Sequence, residues 1–200
     1  GTTAITSNSG ASTLHDATFY VLTTARNVYK CLDNNSNSAS TAEPITTSST
    51  LIEETSDGYK WKYMYTLSAS QQSNFLSTDF MAVATNSTVS SAAVDGAINV
   101  CKIKTAGSGG TDGTHTGIAI RGDGSSGTVS VTVTSGAVTA VTVTNAGTGY
   151  TFGTISNAQI VAAGATSLTG AEIDVIIEPK GGHGFNAVEE LGGFYVMMNT

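Results

Sequence analysis

Gly122-Asp123-Gly124-Ser125-Ser126-Gly127 has the glycine spacing of a dinucleotide-binding turn, where small residues let a pyrophosphate approach the backbone at a helix N-terminus. The next residues are Thr128-Val129-Ser130-Val131-Thr132-Val133-Thr134, a strict alternation that predicts a strand, so no helix dipole would face the phosphate. The loop reads as a β turn, and the Arg121-Gly122-Asp123 tripeptide inside it as a chance match to an integrin motif. Two acidic pairs, Glu53-Glu54 and Glu189-Glu190, offer the carboxylates of a glycosidase. Adjacent residues point apart on a strand and do not face each other on a helix, so both pairs are expected to be solvated charge. His15, His115 and His183 are widely separated and none has a second ligand at metal spacing. Cys31 and Cys101 form no C-x-x-C motif and read as two buried thiols rather than a disulfide. His183 sits in Lys180-Gly181-Gly182-His183-Gly184, a loop able to accommodate an anion and better suited to a hinge or a subunit contact. No catalytic, cofactor-binding or metal-ligating residue is assigned, and no cofactor is expected.

The element with the strongest pattern is Asp57-Gly58-Tyr59-Lys60-Trp61-Lys62-Tyr63-Met64-Tyr65, a turn pair opening a strand with aromatic residues at every odd position. Period 2 predicts that Tyr59, Trp61, Tyr63 and Tyr65 share one packed face, while Lys60 and Lys62 on the other meet solvent or a partner. An exposed row would make a sugar-stacking platform, and a buried one a sheet core or an oligomer interface.

The chain has 200 residues, 40% hydrophobic and only 12% charged, with 23 Gly, 2 Pro and more than a quarter Ser and Thr. That mixture favours strands and glycine turns over long helices, in a mainly β protein with enough apolar content for a core. A net charge of −7 repels a phosphate backbone, so nucleic acid is not an expected partner. No apolar run approaches the ~20 residues of a membrane helix, so no membrane partner is expected either. Asn34-Asn35-Ser36 and Asn86-Ser87-Thr88 match the glycosylation pattern by composition alone.

Residues 1–16 read as a linker or arm, and residues 17–92 as the first part of a β domain. There Phe19 to Leu22 and Val28 to Leu32 form a hairpin broken by Asp33 to Ser36, and Ser70 caps a short helix through Leu76. Residues 93–178 differ in composition, because aromatic residues nearly vanish and Ser135-Gly136 closes a hairpin between two Val/Thr strands. Thr105-Ala106-Gly107-Ser108-Gly109 is echoed by Asn145-Ala146-Gly147-Thr148-Gly149. Residues 179–200 return to the first composition, with a turn or two of helix at Asn186 to Leu191 and a strand at Gly193 to Met198. The expected architecture is a β-sandwich-like domain with a Val/Thr/Gly-rich β domain inserted.

Val28-Tyr29-Lys30-Cys31-Leu32-Asp33-Asn34, Asp57 to Tyr63, Lys180 to Gly184 and Glu190-Leu191-Gly192-Gly193-Phe194-Tyr195-Val196 together resemble a baseplate wedge protein of T-even-type contractile-tailed phages. The version in their cyanobacterial-virus relatives is resembled especially, and Ala146-Gly147-Thr148-Gly149-Tyr150 with Gly122 to Ser125 resembles the glycine-rich insert it carries. The better-known T-even member shares the Tyr-x-Cys-Leu-Asp and Asp-Gly-Tyr-x-Trp pieces and lacks that insert and the Lys-Gly-Gly-His-Gly loop. The resemblance implies a non-enzymatic virion protein of the tail baseplate, assembled in the host cytoplasm. It would be a homodimer that contacts other baseplate wedge proteins, and this chain would be its central part.

Overall fold

The computed structural model describes residues 19–193 and 196–198, so the expected arm at 1–16 lies outside the described residues. The protein is mainly β and divides into two compact units, one formed by the chain up to Ala93 and from His183 onward, the other by Val94–Gly182. The return falls later than the expected residue 179, because Gly181 N–H donates to the Asp95 carboxylate at 2.6 Å and keeps that stretch with the second unit. Of the expected strand at Gly193 to Met198, residues 194 and 195 lie outside the described residues and residues 196–198 are not in a strand.

The first unit holds β1 (Tyr20–Leu22), β2 (Asn27–Asn34), β3 (Ile52–Glu54) and β4 (Tyr59–Thr66) in one antiparallel sheet of order β1-β2-β4-β3. Among its described residues no second sheet faces this one. Val89, Ala187 and Leu191 from outside the sheet pack with its side chains. The β1-β2 hairpin turns at Arg26, which takes a φ of 65°. β2 runs on through Asp33 and breaks at Asn35, Ser36 and Asn37, all with positive φ, a conformation that Asn tolerates better than most residues. The Asp57-Gly58 turn is held by the Asp57 carboxylate, which accepts from Thr55 Oγ1 at 2.6 Å and from the backbone of Thr41 and Ala42 at 2.7 and 2.9 Å. The Thr55 hydroxyl and these amides keep that carboxyl well below the usual carboxylate range.

β2 and β4 pair with a register shift, Val28 opposite Tyr65 but Tyr29 opposite Tyr63, which leaves Met64 as an extra bulged residue. The bulge reverses the alternation. Tyr59, Trp61 and Tyr63 pack with Tyr29, Cys31 and Val89, whereas Tyr65 joins Val28, Met64, Ala187 and Leu191 in a separate cluster.

α1 (Ala69–Phe75) begins two residues earlier than Ser70 predicts: Ser68 is the N-cap, in a capping box with Gln71. α2 (Ser87–Ala92) is capped by Asn86, whose Oδ1 accepts from Thr88 N at 2.9 Å and Val89 N at 3.2 Å. The apparent glycosylation signal is therefore a helix start. Asn86→Ala should lower stability by about 1 kcal/mol. Trp61 is the protein's single tryptophan, so a urea titration followed by its fluorescence reads the first unit and checks this. α4 (Ala187–Glu190) follows Asn186 as a cap.

The second unit contains β5 (Val100–Ser108), β6 (Gly113–Ala119), β7 (Arg121–Gly122), β8 (Thr128–Thr134), β9 (Ala137–Asn145), β10 (Gly153–Thr154), α3 (Asn157–Ala162) and β11 (Thr169–Ile176). Its ladders, β6-β8-β9, β11-β5 and β10-β7, are all antiparallel. Ile98 N to Ala146 O and Gly110 N to Gly136 O, both 2.9 Å, stitch β5 to β9 at its two ends. An isolated bridge from Ile155 to Ile173 joins the chain after β10 to β11, and β7 follows β6 directly. The strands of this unit share one apolar cluster, which includes Ile98, Ile118, Ile120, Val129, Val131, Val133, Tyr150, Ile160 and Leu168. Ser135 and Gly136, at φ 53° and 78°, make the tight hairpin turn between β8 and β9. The sequence echo is also a conformational one: Gly107 and Gly109 have φ 68° and 77°, Gly147 and Gly149 63° and 74°.

Candidate functional site

The Gly122 to Gly127 loop holds a tyrosine. Tyr150 is buried, its hydroxyl accepts from Gly127 N at 3.1 Å and donates to Ile120 O at 3.2 Å, and the loop wraps its ring. A Cβ at Gly124 would overlap Tyr150 Cγ and stand 2.7 Å from Thr148 O, and one at Gly127 would stand 2.8 Å from the Tyr150 hydroxyl. The glycines permit this close approach, which is why the spacing imitates a phosphate loop. Asp123 Oδ1 accepts from Thr151 N at 2.9 Å and Phe152 N at 3.2 Å, and Oδ2 accepts from Thr151 Oγ1 at 2.5 Å. Both carboxylate oxygens of this exposed residue are thus engaged within the fold.

The Thr151 hydroxyl and these amides hold the Asp123 carboxyl down to about 2. A folded value below the unfolded one, about 3.9, contributes stability that is present above about pH 4 and lost as pH falls toward 2. The circular-dichroism midpoint in urea should therefore drop between pH 5 and pH 2.5, and Asp123→Asn at pH 5 should already show part of that drop.

The aromatic row is a core. Trp61 is 2% exposed, stacks on Tyr59 at 5.5 Å between ring centres with 17° between planes, and meets Phe19 at 6.1 Å. Tyr29 and Tyr63 meet edge to face at 5.7 Å. No sugar could stack on these rings in this fold, and the Trp61 indole N–H is buried without an acceptor among the described residues. The opposite face corrects the expectation of solvent: Lys62 is 5% exposed and its ammonium donates to Ser49 O at 2.6 Å. Lys60 is half-buried and 3.7 Å from the Glu54 carboxylate.

The buried charges gather where the chain returns to the first unit. Glu190, its side chain 7% exposed, contacts His183 Nδ1 through Oε1 and accepts Gly184 N at 2.8 Å through Oε2. Lys30, 4% exposed on β2, acts electrostatically on the same carboxylate. Burial pushes the Glu190 carboxyl up, but the His183 hydrogen bond and charge, the Gly184 amide and the Lys30 charge outweigh it and hold it below its ordinary range. Burial lowers the Lys30 ammonium, and Glu190 offsets part of that. The pair Glu189-Glu190 is therefore split, with Glu189 exposed beside its Asn186 cap and Glu190 clamped inside. Glu53 also departs from free solvation, accepting from Ile45 N at 3.0 Å and Thr46 N at 2.8 Å.

The remaining chemical groups stay apart. His115 lies inside the second unit with Nε2 3.0 Å from Thr111 O, and His15 lies outside the described residues. Among the described residues no group of three or more His, Cys, Asp or Glu could hold a metal ion. Cys31 and Cys101 are buried in different units. An open groove of about 670 Å³ over β10 and β11 carries Glu172 and Asp174, with Glu172 3.1 Å from Lys104 as an exposed ion pair. A second, of about 400 Å³, is lined by Tyr20, Phe75, Asp79, Phe80, Met81 and Leu191 among others. No helix among the described residues is long and apolar enough to cross a membrane. No known protein family, curated protein or solved structure matches this chain.

Proposed function

We propose that this chain is a structural, non-enzymatic part of a tail baseplate wedge in the virion of a contractile-tailed phage, acting as a homodimer that contacts neighbouring wedge proteins. The observation that carries the reading is the convergence of the resembling motifs. Val28 to Asn34 forms β2, the strand Tyr59 onward forms β4 beside it, and the Glu190 segment, tied to His183 and Gly184, packs Leu191 with Val28 and Met64 and acts electrostatically on Lys30 of β2. Segments more than a hundred residues apart thus form one packed element, as they would if the resemblance reflects a common fold rather than scattered short matches.

The wedge role asks for a rigid body with interfaces and not for a reacting centre. In this protein the aromatic strand, the buried charges and the glycine loop all serve internal packing. Exposed apolar side chains remain at Ile45, Leu51, Phe80, Phe152 and Phe185, available for subunit contacts.

Light scattering on the purified full-length protein, alone and with the other wedge proteins, tests this. A dimer that joins a larger complex is expected. A monomer that ignores those proteins overturns the reading.

A further inference from the structure

The outer face of the β6-β8-β9 sheet is built mostly from hydroxyl side chains, with Ala119 and Ala140 among them. On β8, Thr128, Ser130 and Thr132 alternate with Val129, Val131 and Val133, which point inward. Thr114 of β6 stands opposite Thr132, and Thr142 of β9 opposite Ser130. The hydroxyls meet across the strands, Thr114 to Thr132 at 3.1 Å and Thr128 to Thr144 at 2.8 Å. Thr142 and Thr144 are exposed. From Gly124 to Ala171 the chain has no Asp, Glu, Lys, Arg or His.

A protein of net charge −7 repels its own copies. A two-fold interface worsens this wherever it holds charge, because residues near the axis face the same residues of the other copy. A hydroxyl has one proton to donate and two lone pairs, so hydroxyl opposite hydroxyl is complementary, whereas carboxylate opposite carboxylate is not. The Thr face is thus neutral and matches itself, on a chain that is otherwise acidic.

We infer that a second copy of this chain docks on this face, sheet against sheet; the inference rests on the dimeric reading above. Three strands ~4.8 Å apart and about seven residues of ~3.3 Å give a face on the order of 300 Å². That is less than the ~800 Å² per partner of a standard interface, so the face is one part of the dimer contact.

The test measures the dimer dissociation constant of the full-length protein by sedimentation for wild type, Thr142→Glu, Thr142→Lys and an equal mixture of the two variants. Each variant alone should bind itself at least tenfold more weakly than wild type, and the mixture should recover, because opposite charges then face each other. Thr144→Glu, at a second exposed position on the face, should act like Thr142→Glu. Circular dichroism and Trp61 fluorescence should match wild type throughout. If the Glu variants dimerise as wild type does, the dimer uses another face, and the inference falls while the structural reading stands. The inference falls likewise if both Thr142 variants weaken and their mixture does not recover. If wild type is a monomer at every concentration, the dimeric reading itself falls and takes the inference with it.

Discussion

Glu190→Ala should lower the stability of the first unit by about 3 kcal/mol, read as an earlier urea midpoint in Trp61 fluorescence. The variant removes the buried carboxylate that His183 contacts and that acts on the Lys30 ammonium, and breaking a buried charged pair from one side costs about 3–5 kcal/mol. The Gly184 amide loses its acceptor as well. The helix α4 and the residues before it meet the sheet through Ala187, Leu191 and this carboxylate, so amide hydrogen exchange at residues 183–191 should rise first. Glu190→Gln keeps the shape and a carbonyl acceptor and should lose less. The pH dependence follows from the depressed carboxyl: its stabilisation is present above the unfolded value, about 4.3, and is lost as pH falls through the folded one. Wild type should weaken in acid, and the Ala variant should weaken less. An Ala variant within about 0.5 kcal/mol of wild type would show that apolar packing alone holds this segment.

Tyr150→Ala should lower the stability of the second unit by about 4 kcal/mol, within the range for emptying an aromatic site in a core. The ring fills the centre of the Gly122 to Gly127 loop, and its hydroxyl satisfies Gly127 N and Ile120 O. Tyr150→Phe removes only those bonds and should cost about 1–3 kcal/mol for the two buried groups left unpaired. Gly124→Ala should be severe in the wild-type background and less so beside Tyr150→Ala, since the ring no longer meets the added methyl while the 2.7 Å approach to Thr148 O remains. The transition followed by circular dichroism should move while the Trp61 transition does not. Additive costs in the double variant would show that the Thr148 carbonyl, and not the ring, excludes a side chain at Gly124.

The alternation of β4 is legible in the sequence up to Tyr63, and its sense reverses at Met64, where the ladder to β2 takes in an extra residue. Nothing in Tyr63-Met64-Tyr65 itself marks a bulge, because it arises from its register with Val28 and Tyr29, more than thirty positions earlier. Ser68 and Ser70 are equal candidates as caps in isolation. Gln71, reaching back to the Ser68 amide, selects the first, and this capping box is visible in the sequence once Gln71 is weighed with it. Asn86-Ser87-Thr88 matches a modification signal and a helix cap equally well, and only the helix that starts there decides between them. Of the candidate site residues, His183 and Glu190 both stand out in the sequence, yet a spacing of seven across an irregular loop has no period that would bring them together.

Local chemistry carried by the chain itself was enough to determine a mainly β protein, the hairpin at Ser135-Gly136, the inward Val and outward Thr of β8, and two regions of contrasting composition. These follow from side-chain alternation and turn conformations that act over a few residues. Tertiary structure alone decided that Lys62, Lys30 and Glu190 lie inside, that the glycines of the Gly122 to Gly127 loop serve Tyr150, and that the separate sheets of the second unit share one core. The reason is the same in each case. Burial and partner choice depend on which distant segment arrives at a surface, and a Lys or Glu is identical in sequence whether it meets water or a buried opposite charge.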